Sequence, residues 1–135
     1  MQKNLLLITG ILGLLAVFFG AFGAHVLADK LTAGKLIIYH RGIEYQFYHT
    51  LALLFIASMV NQNKSTSLWL FRASRFFVFG ILFFSGSIYV LACRELLSLG
   101  EIWISFIGVL TPIGGMLLII GWFMIVLHAI KNTIT

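Results

Sequence analysis

The sequence predicts an all-α integral membrane protein, a four-helix bundle with a short interfacial segment between its first two helices. Three observations carry that prediction. Hydrophobic residues make up 61% of the 135 and charged residues 10%, against roughly 45–50% and 25% in soluble domains. The mean hydropathy of +1.06 belongs to a chain solvated by lipid. Apolar stretches long enough to cross a bilayer, about 20 residues each, occur at about 4–27, 41–60, 70–93 and 102–128, within a single transmembrane domain over 1–135. Only short connections remain, which excludes a separate extramembrane catalytic or nucleic-acid-binding domain.

The first span opens with Lys3, and its apolar run from Leu5 to Ala24 exceeds the roughly 7–15 residues of a signal peptide's apolar region. It therefore reads as a retained span. Gly13, Ala16, Gly20 and Ala24 recur at helical spacing and give it one smooth face for a neighbouring helix. From Ala28 to His40, charged Asp29, Lys30 and Lys35 mix with Leu31, Leu36, Ile37 and Ile38, a pattern suited to a short interfacial helix capped by Thr32. The second span starts polar and ends apolar, and Asn61 to Ser67 reads as a turn. The third span closes at Cys93, the only cysteine, so neither an intrachain disulfide nor a cysteine metal cluster can form. The fourth contains Pro112 beside Gly114 and Gly115, where freed backbone carbonyls either mark a packing kink or line a pocket. A polar tail runs from Lys131 to Thr135.

The net charge is +5, but the nine Lys and Arg are scattered rather than grouped on one face, so no nucleic-acid partner is expected. Four spans place both termini on one side. That side holds Lys3, Lys64, Arg72, Arg75 and Lys131, and the loop side holds Lys30, Lys35, Arg41 and Arg94. The excess of basic residues favours cytoplasmic termini.

Polar groups inside lipid are costly and tend to mark function. At 1.5 Å per helical residue, Tyr48 and His49 lie about 10 Å below the loop-side surface, Ser85 and Ser87 about 9–12 Å, and Thr111 about 14 Å. With His25 closing the first span, the polar clusters all fall in the half facing the two short loops. On the second span, Arg41, Glu44, Tyr45, Tyr48, His49 and Ala52 share an arc of about 140°, with Gln46 at its edge. That face is expected to look into the bundle, either as a hydrogen-bond network fixing helix register or as a ligand site. His25, His49 and Glu44 lack the HxxxH or HExxH spacing of a metal site, and neither a phosphate loop nor a nucleophile elbow is present. No metal or cofactor is expected.

Four segments match a known pattern in order. They are Gly20–His25 (GAFGAH), Tyr45–Leu53 (YQFYHTLAL), Phe84–Tyr89 (FSGSIY) and Thr111–Gly115 (TPIGG). Together they make the chain resemble the small bacterial membrane family catalogued as domain of unknown function 423, the YgdD/YwdK-like proteins. The resemblance implies a four-span protein of the bacterial plasma (inner) membrane and brings no activity or catalytic residue with it.

The resulting expectation is a lipid headgroup or amphiphile bound in an outward-half polar pocket formed by His25, Arg41, Glu44, Tyr45, Tyr48, His49, Ser85, Ser87, Tyr89 and Thr111, with Lys35 helping Arg41 hold an anionic group. Membrane lipids are the expected partners, with a second copy or another membrane protein as a further one. Two rivals are a lipid-modifying enzyme using His49 or His25 with Glu44, and an assembly partner docking through the Gly13/Ala16/Gly20/Ala24 face.

Overall fold

A computed structural model describes residues 2–62 and 68–133. It contains four α-helices: α1 (Gln2–Phe22), α2 (Ala33–Gln62), α3 (Leu68–Ala92) and α4 (Glu101–Thr133), with a π-helical turn, Gly23–Leu27, extending α1. Residues 63–67 of the expected turn, and 134 and 135 of the expected tail, lie outside the described residues.

Three segments are long and apolar enough to cross a membrane: Lys3–Leu27, Leu68–Ala92 and Glu101–Lys131. Their outward faces are apolar, as a lipid solvent requires; on α4, Ile102, Phe106, Val109, Met116, Ile119 and Phe123 are all exposed. The more polar α2 packs between α1 and α3, and α3 packs against α4, whereas the non-consecutive helices touch only marginally. All four still contribute to the main core, where Leu12, Leu53, Ile56, Phe77, Ile81 and Leu118 meet.

The interfacial segment is not a separate helix. Residues 28–32 form the turn, and Ala33 to His40 are the first two turns of α2. The Thr32 carbonyl starts that helix by accepting the Leu36 N–H at 2.9 Å, and no proline or turn cluster interrupts it afterwards. Tyr39 is 2% exposed and anchors this stretch to the core, while Ile37 and Ile38 face outward at 61% and 51% exposure. The Tyr39 ring lies against Gly23, where a Cβ would meet Tyr39 Cε1 at 2.7 Å.

The smooth face of α1 is used within the chain. Gly13 faces Thr50 and Gly20 faces Ile43, both on α2, and Ala16 is fully buried, while Ala24 is exposed. α4 runs unbroken through Pro112, whose side chain is exposed. Gly114 serves a different purpose: a Cβ there would collide with the Phe84 backbone nitrogen and come within 2.8 Å of the Phe83 carbonyl carbon. The α3 and α4 backbones thus cross at this glycine, as small residues permit between membrane helices.

Candidate functional site

The buried residues of α2 include Tyr39, Gly42, Ile43, Gln46, His49, Thr50, Leu53, Ile56 and Ala57, a series with helical periodicity. This face is rotated from the one expected, and of the predicted arc only His49 and Ala52 are buried. Arg41 and Glu44 pair with each other at 2.9 Å, with side chains 65% and 41% exposed. Tyr48 points outward at 56% exposure, and His25 is exposed on the π turn. Tyr45 is partly exposed and lies against Phe84, ring centroids 4.7 Å apart. The ten predicted residues therefore do not line one pocket. Five of them, His25, Arg41, Glu44, Tyr45 and Tyr48, lie at least partly on the outside; Arg41 and Glu44 can do so because an ion pair that neutralises itself needs no interior partner.

The others tie helices together. Gln46, 3% exposed, donates from Nε2 to the Leu12 carbonyl of α1 at 2.8 Å and accepts from the Tyr89 hydroxyl of α3 at 2.8 Å. One amide thus links three helices. Tyr39 adds a second tie to α1 by donating to the Phe19 carbonyl at 3.0 Å. His49 sits in the other direction, among Phe77 and Trp122, with ring centroids 5.4 and 6.1 Å away. Its Nδ1 lies 2.7 Å from the Tyr45 carbonyl, which can only accept, so Nδ1 carries the proton. Nε2 is then an acceptor for the Trp122 indole N–H of α4 at 3.2 Å. Ser87 and Thr111 share a hydrogen bond of 2.7 Å between α3 and α4. Ser85 is completely buried, and its hydroxyl, like that of Thr50, has no hydrogen-bond partner.

At the loop end, Lys35 of α2 pairs with Glu95 in the α3–α4 connection. The Lys35 ammonium, by hydrogen bond first and by charge second, holds the Glu95 carboxyl below its ordinary value. Lys35 is thus engaged within the chain and apart from the Arg41–Glu44 pair. Among the described residues no three His, Cys, Asp or Glu side chains gather as a metal site would require.

Gln46, Tyr39 and Trp122 are the structural polar residues that the sequence reading left out of the site. The signal for Gln46 was its spacing with Tyr39, Ile43, Thr50 and Leu53 on one face. For Trp122 no signal existed, because its contact with His49 spans 73 positions.

α1 and α3 both pack on α2 but touch each other only marginally, as where the Phe19 and Tyr89 rings lie 4.9 Å apart, so a cleft remains between them with α2 as its floor. It has two parts. The loop-end part, about 390 Å³, is lined by Leu12, Leu15, Phe19 and Phe22 of α1, by Ile81, Leu82, Gly86, Tyr89 and Val90 of α3, and by Tyr39 and Gln46 of α2, with Cys93 and Leu97 beyond α3. The terminal-end part, about 320 Å³, is bounded by Asn4, Leu5 and Ile8, by Ile56 and Val60, and by α3 from Leu70 to Phe79. Both are mainly apolar, and the polar atoms of Gln46, Tyr39 and Tyr89 at the loop end are already paired.

Comparison with known proteins agrees with this architecture. The family described as "Protein of unknown function (DUF423)" matches residues 19–115. The chain is 37% identical to the UPF0382 membrane protein YwdK of Bacillus subtilis over 135 residues, covering 96% of this chain and 98% of that protein. It is 38% identical to a UPF0382 membrane protein of Staphylococcus saprophyticus, covering 96% and 99%, and 36% identical to the UPF0382 inner membrane protein YgdD of Escherichia coli K12, covering 96% and 92%. No solved structure matches. With three membrane-length apolar segments, an all-helical fold among the described residues and similarity along nearly its whole length, the chain belongs to the DUF423 family of multi-pass membrane proteins.

Proposed function

We propose that this protein resides in the plasma membrane, with four spans and cytoplasmic termini, and binds a membrane amphiphile by its hydrocarbon chain. The observation that carries this reading is the loop-end cleft, about 390 Å³ of apolar space between two helices that touch only marginally. Its lining forfeits dispersion contacts unless something apolar fills it. Water is a poor occupant, since the polar groups on its floor already have partners. A lipid chain supplies what is missing, and its headgroup would sit at the rim, where Cys93 and Leu97 line the cleft. This replaces the ten-residue headgroup pocket with a chain-binding cleft in the same half of the molecule. Acid–base chemistry by His49 with Glu44 has no comparable support, because Glu44 pairs outward with Arg41 while both His49 ring nitrogens are engaged inside.

Gly86 provides the test. A Cβ there meets nothing within 4 Å, so a large side chain can enter the cleft without colliding at its root. Native mass spectrometry of gently solubilised wild type should show one more lipid-sized adduct than folded Gly86→Phe carries. A bare wild type, or the same number of adducts on Gly86→Phe, would refute chain binding in this cleft.

A further inference from the structure

We propose a second lipid site in the terminal-end cleft, selective for a phospholipid with a net negative headgroup and using Arg75 to hold the phosphate. Asn4, Ser74 and Arg75 are the polar side chains lining this otherwise apolar cleft, and Arg75 lies midway along the α3 stretch from Leu70 to Phe79. A phosphate held at Arg75 would leave a lipid chain to run inward past Ile8, Ile56 and Phe79, about one turn deeper on α1 and α3 than Asn4 and Arg75 and on α2 than Val60.

The charge around it is one-sided. All four acidic side chains of the chain, Asp29, Glu44, Glu95 and Glu101, lie toward the loop end. Among the described residues Arg75 therefore has no Asp or Glu side chain paired with it, and neither has Arg72, three residues earlier on α3. The Arg75 guanidinium lies 4.3 Å over the Phe71 ring. That contact occupies its flat face and leaves the N–H edges directed elsewhere, the edges that grip a phosphate in bidentate fashion. Arg72 lies over Trp69 at 5.6 Å, a further basic–aromatic pair at the same end. A zwitterionic headgroup brings an ammonium or choline into this cationic surrounding and gains less, and the attraction of one basic residue for an anionic lipid corresponds to about a fivefold preference.

The site is separate from the loop-end cleft and stands or falls independently of it. The experiment is a native mass spectrometry titration of full-length Gly86→Phe, in which the loop-end cleft is filled, with dioleoyl-phosphatidylglycerol or dioleoyl-phosphatidylcholine. Phosphatidylglycerol should bind about fivefold more tightly. Arg75→Gln should bring the two lipids to near equality, and Val78→Trp, which fills the terminal-end cleft, should remove the phosphatidylglycerol adduct. Raising ammonium acetate should erode the preference in protein with Arg75 intact, a readout that does not depend on the variants folding. Equal uptake of both lipids, a preference surviving Arg75→Gln, or one indifferent to salt would overturn the proposal.

Discussion

Gln46 has both ends of its amide occupied, by the Leu12 carbonyl and the Tyr89 hydroxyl, and is 3% exposed. Gln46→Leu keeps most of the side-chain volume but leaves the Tyr89 hydroxyl without its acceptor, so thermal unfolding in detergent should show a loss of about 1–2 kcal/mol. Arg41→Gln removes an exposed ion pair and should stay within about 0.5 kcal/mol of wild type. The sequence reading ranked these residues the other way. It assigned the interior to the charged pair because charges are the costliest groups to expose to lipid, but Arg41 and Glu44 neutralise each other three residues apart. Gln46 carries two hydrogen bonds without any charge to advertise them. His49 is 6% exposed, and its partners fix one tautomer between the Tyr45 carbonyl and the Trp122 indole.

Helix pairing depends on glycines whose roles differ sharply. Gly114 lies against the α3 backbone at Phe84, whereas Gly86 faces open space. Gly114→Ala must push two backbones apart and should cost about 1–3 kcal/mol, while Gly86→Ala should unfold within about 0.5 kcal/mol of wild type; the same thermal measurement checks both. The existence of four helices was legible in their long apolar runs. The start of α2 was not, because Ala33 to His40 mixes charge with apolar residues as an interfacial helix does. The burial of Tyr39 against Gly23 and Phe19 ties this otherwise outward-facing start of α2 to the core. Pro112 drew notice as a breaker, yet α4 continues through it, and Gly114 two residues later does the structural work of close approach.

Across the whole molecule, charge and space are distributed by end. The loop end is closed by the Lys35–Glu95 pair between α2 and the α3–α4 connection. The Glu95 carboxyl is held below its ordinary value in the folded protein, so its contribution is present above the unfolded-state value and is lost as pH falls through the lower folded-state value. Unfolding of wild type and Glu95→Gln should therefore differ slightly at neutral pH and converge as pH drops below the usual carboxylate range, about 4; the gap is small because Glu95 is exposed. Cys93 lines the loop-end cleft and is the only cysteine, so stripping lipid from the protein should speed its alkylation several-fold, as followed by mass shift. The cleft itself was not visible in the sequence. It arises because α1 and α3 pack mainly on α2 and meet each other only locally, as at Phe19 and Tyr89, a property of tertiary arrangement that no local spacing encodes.

The most direct measurement is photolabelling with a phospholipid bearing a diazirine on its acyl chain, followed by peptide mapping in wild type and Gly86→Phe. Chain binding in the loop-end cleft predicts label near residues 12–22 and 81–97 that is reduced there, and not elsewhere, by Gly86→Phe. Label spread evenly over the outward faces, α4 included, and unchanged by the substitution would contradict it.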